Sequence, residues 1–118
     1  MIARLVAYVS DLMSASRIEA TLEQRGYEVY VVDELQALAA ELDAGAKLCL
    51  LDLHAGAAAA DVVVLCKQRG VPVVAFGRHT EAALLREARK AGCETVLPRS
   101  EFFEKMTTLI DETLPDET

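Results

Sequence analysis

Short apolar runs without alternation recur along the chain, each followed by a stretch whose apolar residues fall three and four positions apart. Leu5-Val6-Ala7-Tyr8-Val9 is the first such run, and its lack of alternation predicts a parallel strand buried on both faces. Behind it, Leu12, Ala15, Ile18 and Leu22 mark the inner stripe of a helix that Gly26 ends. Residues 27–32 alternate more, which predicts an edge strand with one wetter face. Asp33-Glu34-Leu35-Gln36 has the form of a capping box, and Leu35, Leu38, Ala39 and Leu42 supply the stripe behind it. A third strand is expected over 47–51, then a loop of small residues and a helix running to Gly70. Within that unit, 57–65 holds alanines and three consecutive valines that suit a strand as well as a helix. The fourth strand is expected over 71–76, followed by a helix over 81–91 with Thr80 as its N-cap and Gly92 as its stop. A fifth strand over 95–97 leads to a last helix from Ser100, with Phe102, Phe103, Met106, Leu109 and Ile110 on or near its inner face.

Five strand–helix units in a row imply a parallel sheet with helices on both faces, because right-handed crossovers leave few other arrangements. In 118 residues this predicts one domain over 1–118. Its class is α/β, a flavodoxin-like (βα)5 three-layer sandwich with strand order 2-1-3-4-5.

Composition narrows the setting. Hydrophobic residues make up 53% of the chain, yet charged residues interrupt them throughout. No apolar run approaches the roughly 20 residues of a membrane-spanning helix. The first residues lack the basic start and apolar stretch of a signal peptide, so the expected location is the cytoplasm with no membrane partner. A net charge of −7 repels phosphate backbones and argues against a nucleic-acid partner. Cys49, Cys66 and Cys93 are far apart, form no C-x-x-C pair and lie in apolar segments, where a thiol serves as a small core hydrophobe.

In such a sheet, functional residues gather where the strands end. The first strand ends in Ser10-Asp11, the third in Asp52-Leu53-His54, the fourth in Gly77-Arg78-His79-Thr80 and the fifth in Pro98-Arg99-Ser100. The first and third strands are neighbours in the proposed order, so Asp11 and Asp52 should face one crevice. Two carboxylates with carbonyl oxygens and water suit a hard cation such as Mg²⁺. Arg99, approaching from the other side, completes a place for a phosphoryl group.

On these residues the chain resembles the receiver domains of bacterial response regulators over nearly its whole length. The fourth-strand run Val71-Pro72-Val73-Val74-Ala75-Phe76 and the turn Ala91-Gly92-Cys93-Glu94-Thr95-Val96-Leu97-Pro98-Arg99 carry the resemblance furthest. It implies Asp52 as the phosphoacceptor, and Mg²⁺ held by Asp11, Asp52 and the backbone carbonyl of His54. Arg99 stands in place of the usual lysine as the phosphoryl contact, and Arg17 follows Asp11 at the spacing common in the family. The chain also departs from the pattern. Ser10 replaces the first acidic residue, Ser100 the expected proline, and Gly77 and Val96 the hydroxyl-and-aromatic couple that transmits activation. Arginine and lysine differ in geometry as well. The resemblance is to an atypical or pseudo-receiver.

Simpler roles stand beside these. Asp52 could cap the next helix, Asp11 could cap the first, and Arg99 could pair with Asp52 as a structural salt bridge. Arg78 and Thr80 could contact a small anion beside Arg99, or merely form a polar turn. Asp52-Leu53-His54 matches part of a cobalamin-binding D-x-H motif, but after the third strand rather than the first. No P-loop, G-x-G-x-x-G turn or catalytic triad is present, so independent catalysis is not expected.

The function expected is two-component signal transduction through protein contact, with Mg²⁺-dependent phosphorylation of Asp52 open to it and a histidine kinase or another signalling protein as partner. The alternatives are a phosphorylation-independent docking module and a small-anion sensor. The chain ends shortly after its fifth helix, as a free-standing regulator or a piece of a longer protein would. Ala82, Ala83, Leu84, Leu85 and Ala88 give the fourth helix more apolar surface than one stripe needs. That predicts a homodimer through helix four, strand five and helix five.

Overall fold

The computed structural model describes residues 3–114. Ten elements alternate along it: β1 (Arg4–Tyr8), α1 (Leu12–Glu23), β2 (Glu28–Val32), α2 (Leu35–Asp43), β3 (Leu48–Asp52), α3 (Ala59–Lys67), β4 (Val73–Gly77), α4 (Ala82–Ala91), β5 (Thr95–Pro98) and α5 (Arg99–Thr113). All strand pairs are parallel and the sheet order is β2-β1-β3-β4-β5. The expected fold class and strand order are the ones observed, and the ambiguous stretch after β3 is helical.

The unbroken apolar strands follow from burial on both faces. Along β1, Leu5 and Ala7 pack with Ile18 and Leu22 of α1 and with Phe102, Met106 and Ile110 of α5. Val6 and Tyr8 belong to the core on the opposite face, which also holds Leu38 and Leu42 of α2, Val62 and Val63 of α3, and Leu85 and Ala88 of α4. Every residue of β3 and β4 is buried, whereas β2 at the edge leaves Glu28 and Val31 exposed. Among the described residues no helix is long and apolar enough to cross a membrane.

Three expectations about helix starts are corrected. Leu12 is 81% exposed, since it opens the first turn away from the sheet, and Ser14 is buried in its stead. The capping box does not form: α2 begins one residue later than the motif requires, and Glu34 at its N-cap makes no side-chain bond. Thr80 does not cap α4 either, because the turn closed by the Glu81 N–H on the Arg78 carbonyl delays the helix to Ala82. At the other end of the fold, the α1–β2 turn is tied to α5. The Tyr27 hydroxyl donates to Asp111 Oδ1 at 2.5 Å, and Arg25 pairs with the same carboxylate.

That tie predicts a pH effect. Burial, and then the Asp111 carboxylate, push the Tyr27 hydroxyl up to about 12. The folded chain therefore keeps a proton that an unfolded tyrosine releases near a pKa of about 10. This contribution is complete below the unfolded value and lost as pH rises through the folded one. Tyr27→Phe should show a shallower fall in urea midpoint across that alkaline window than the wild type. Parallel curves would exclude Tyr27 as its source.

Candidate functional site

The carboxyl ends of β1, β3, β4 and β5 meet along one edge of the sheet, and four expected site residues lie there. Asp52 is the last residue of β3, in register with Phe76 on β4, while Gly77 is in register with Pro98 immediately before Arg99. Asp52 is only 4% exposed, the one carboxylate buried among the described residues. Its Oδ1 accepts the His54 backbone N–H at 2.9 Å, and its carbonyl accepts the Ala55 N–H at 3.1 Å. A tight turn thus closes over the acid.

Asp11 is held differently. As N-cap of α1 it accepts the Met13 N–H on Oδ1 at 3.3 Å, and on Oδ2 the Ser14 N–H at 3.2 Å and the Ser14 hydroxyl at 2.6 Å. These bonds, led by the Ser14 hydroxyl, hold its carboxyl below the ordinary aspartate value, and Arg99 adds a smaller pull. Arg99 reaches Asp11 Oδ2 at 3.6 Å and donates to the buried Ser14 hydroxyl oxygen. Its guanidinium also lies 5.0 Å from the Phe103 ring centroid and 5.8 Å from that of Phe76. Arg17 sits over Phe103 as well, at 4.5 Å. The alternative of an Arg99–Asp52 salt bridge is therefore not realised. Among the described residues Asp52 forms no ion pair, because the ring of Phe103 and the capped Asp11 hold the guanidinium at the α1 side.

This arrangement bears on Mg²⁺. A hard cation needs several free oxygen ligands in near-octahedral array. Here both Asp11 oxygens already accept N–H or O–H groups and one faces a guanidinium, while Ser10 supplies no charge. Asp11 as placed has Oδ2 taken up by Ser14 and Arg99, so Oδ1 is the oxygen it could offer Mg²⁺.

The β4 end holds the least expected contact. Gly77 is buried, and a Cβ built on it would lie 3.3 Å from His54 Nε2 and 3.3 Å from Leu53 Cδ1. His54 Nε2 accepts the backbone N–H of Arg78 at 3.0 Å. The resemblance gives His54 a role through its carbonyl and the partial D-x-H match one through its ring, and neither implies the side chain's bond across to β4. Its one available signal was a glycine at the fourth strand's end paired with a histidine beyond the third. The Arg78 side chain, His79 and Thr80 are exposed, and Val96 is buried with its carbonyl accepting from Arg89 at 3.4 Å. On α4, Leu85 and Ala88 face the core, Leu84 is half-buried, and Ala82 and Ala83 are exposed. Among the described residues the exposed large hydrophobic ones are Leu12, Met13, Val31 and Val64, none of them on α4.

No protein-family model matches the chain, and no curated protein matches it. Solved structures do. The receiver domain of the TMAO respiratory system response regulator TorR is similar with a TM-score of 0.83 at 13% identity, over 94% of this chain and 95% of that one. Chemotaxis protein CheY4 of Vibrio cholerae matches with a TM-score of 0.80 at 18% identity, over 97% of this chain and all (100%) of that one. NtrX of Brucella abortus matches with a TM-score of 0.81 at 20% identity over 97% of this chain, which spans only 26% of that protein's chain. At these identities the likeness is one of fold: the chain has the receiver-domain fold.

Proposed function

We propose that this chain is a receiver-type signalling module that works through contact with other proteins, its crevice held by its own side chains. One observation carries the reading. Asp11, the acidic group that would anchor a metal, is committed to the α1 cap and to Arg99, leaving Asp52 with a single backbone donor. Output then depends on what docks rather than on a phosphoryl group. A histidine kinase or another signalling protein is the class of partner, and the role needs no catalysis by the chain itself. The α4–β5–α5 face is the proposed contact between two copies, and a monomeric mass at high concentration would count against it.

Amide NMR with millimolar Mg²⁺, then with beryllofluoride as a phosphoryl mimic, tests the reading. The expected spectrum is unchanged at Asp11, Asp52 and Arg99. Shifts centred on those residues and lost in Asp52→Asn would overturn it.

A second reading is favoured by the burial of Asp52 at the β3 end. In it Asp52 is the phosphoacceptor, Arg99 the phosphoryl contact, and Asp11, Asp52 and the His54 carbonyl the Mg²⁺ ligands, at the cost of opening the Asp11–Arg99 pair. An anion-sensing role for Arg78, Thr80 and Arg99 has less support, since Arg99 is already engaged.

A further inference from the structure

We infer that the His54 side chain is a latch between β3 and β4, and that residue 77 is glycine because the imidazole needs its space. This deepens the reading of a self-held crevice. Three contacts converge on one residue. The His54 N–H caps Asp52 Oδ1 at 2.9 Å, its Nε2 accepts the Arg78 N–H at 3.0 Å, and the same Nε2 lies 3.3 Å from where a Cβ on residue 77 would be.

The chemistry of each group makes the latch specific. Nε2 accepts here and so carries no proton, which leaves Nδ1 as the ring's donor. The Arg78 N–H lies just beyond the last ladder residue of β4, where no further strand bond awaits it. An unpaired amide at that position would have to find water or a ligand. His54 supplies the acceptor from within the chain. One residue thereby fixes the carboxylate at the end of β3 and the amide at the end of β4 relative to each other.

Gly77 is the complementary half. Its φ lies outside the left-handed region, so the backbone itself does not demand glycine. A residue with a Cβ would ordinarily be favoured in a strand, because glycine loses more freedom on folding. What stands against a side chain is His54, together with Leu53 at 3.3 Å. A Cβ there asks the imidazole and Leu53 to give by a few tenths of an ångström, and the imidazole does so by straining its bond to the Arg78 N–H. A side chain at 77 and the imidazole of His54 therefore compete for one space.

A double-mutant cycle on the full chain tests this, using Gly77→Thr and His54→Ala singly and together, with urea unfolding as the readout. Gly77→Thr should raise the unfolding equilibrium constant about tenfold more in the wild-type background than in His54→Ala, within the coupling range of contacting residues. If Gly77→Thr does not fold, Gly77→Ala gives the same cycle with a smaller coupling of the same sign. Hydrogen exchange supplies a readout that packing alone would not move. The Arg78 amide should exchange about tenfold faster in His54→Ala, as expected when a lone hydrogen bond is lost. Equal effects of the substitution at 77 in both backgrounds, or an Arg78 amide as slow in His54→Ala as in the wild type, would overturn the latch. Neither outcome depends on the beryllofluoride titration, so a failed latch and a failed docking reading are told apart.

Discussion

Truncating Phe102 to alanine should lower the stability of the domain by about 3–5 kcal/mol, the cost of deleting a fully buried aromatic and leaving a cavity. The chain has three phenylalanines and no tryptophan, and all three phenylalanines meet in one place. Phe102 is 0% exposed, stacks on Phe76 with ring centroids 4.3 Å apart, and meets Phe103 edge-on at 5.2 Å. Phe76 in turn meets Phe103 edge-on at 5.6 Å. Such pairs add about 0.5–1.5 kcal/mol beyond their buried area, so the loss exceeds that of an isolated ring. A domain of this kind holds about 5–15 kcal/mol in all, which makes the change a large share of the total. The damage reaches the crevice too. Phe76 is in register with Asp52, and Arg99 lies over both Phe76 and Phe103, so the floor beneath the candidate site is this aromatic cluster. Urea denaturation measures the effect. A loss below about 1 kcal/mol would mean the space collapses and the rings do not carry the α5 side of the core.

The path from sequence to fold is short here for physical reasons. Strands buried on both faces must be apolar at every position, and Leu48 to Leu51 show that without any knowledge of neighbours. Helices covering one face must repeat at three and four, as Ala15, Ile18 and Leu22 do. Strand order follows from the regular alternation, since crossovers of one hand leave little choice. What could not be read were features set by single bonds at element ends. Asp33 and Thr80 both look like caps, yet each α-helix begins beyond its reach, because turn bonds such as Glu81 N–H to Arg78 O position the chain first.

The candidate site divides along the same line. That Asp11, Asp52, Gly77 and Arg99 share one edge follows from topology and was legible. Which charge meets which was not, because it depends on side-chain reach. Arg99 is drawn to Asp11 by Ser14, a residue whose burial the apolar pattern does not mark, and by the ring of Phe103 fifteen-residue helix α5 places beside it. The bond from Arg78 to His54 joins residues 24 positions apart, and no local pattern signals it.

Asp52→Asn should raise the urea midpoint at neutral pH, by the equivalent of about 1–2 kcal/mol, in the direction expected when a buried charge lacking a partner is replaced by a neutral isostere. The argument rests on where the charges lie. Asp52 is 4% exposed, its Oδ1 takes the His54 N–H, and among the described residues no cation pairs with it. Asparagine keeps a carbonyl oxygen for that N–H and nearly the same volume, and its NH2 takes the place of the solvent-reached Oδ2, where water can accept from it. The opposite sign would be expected if Arg99 in solution turned to Asp52, because breaking a buried pair from one side costs about 3–5 kcal/mol. Arg99→Ala separates the two cases. With Arg99 on Asp11, the effect of Asp52→Asn should be the same with or without the guanidinium, since residues that share no contact add independently. With Arg99 on Asp52, the destabilisation caused by Asp52→Asn should largely vanish once Arg99 is gone. A stabilising, additive Asp52→Asn fits a crevice whose acid is buried without a counter-charge. A destabilising, non-additive one would put Asp52 and Arg99 together and return the phosphoryl-binding arrangement to first place.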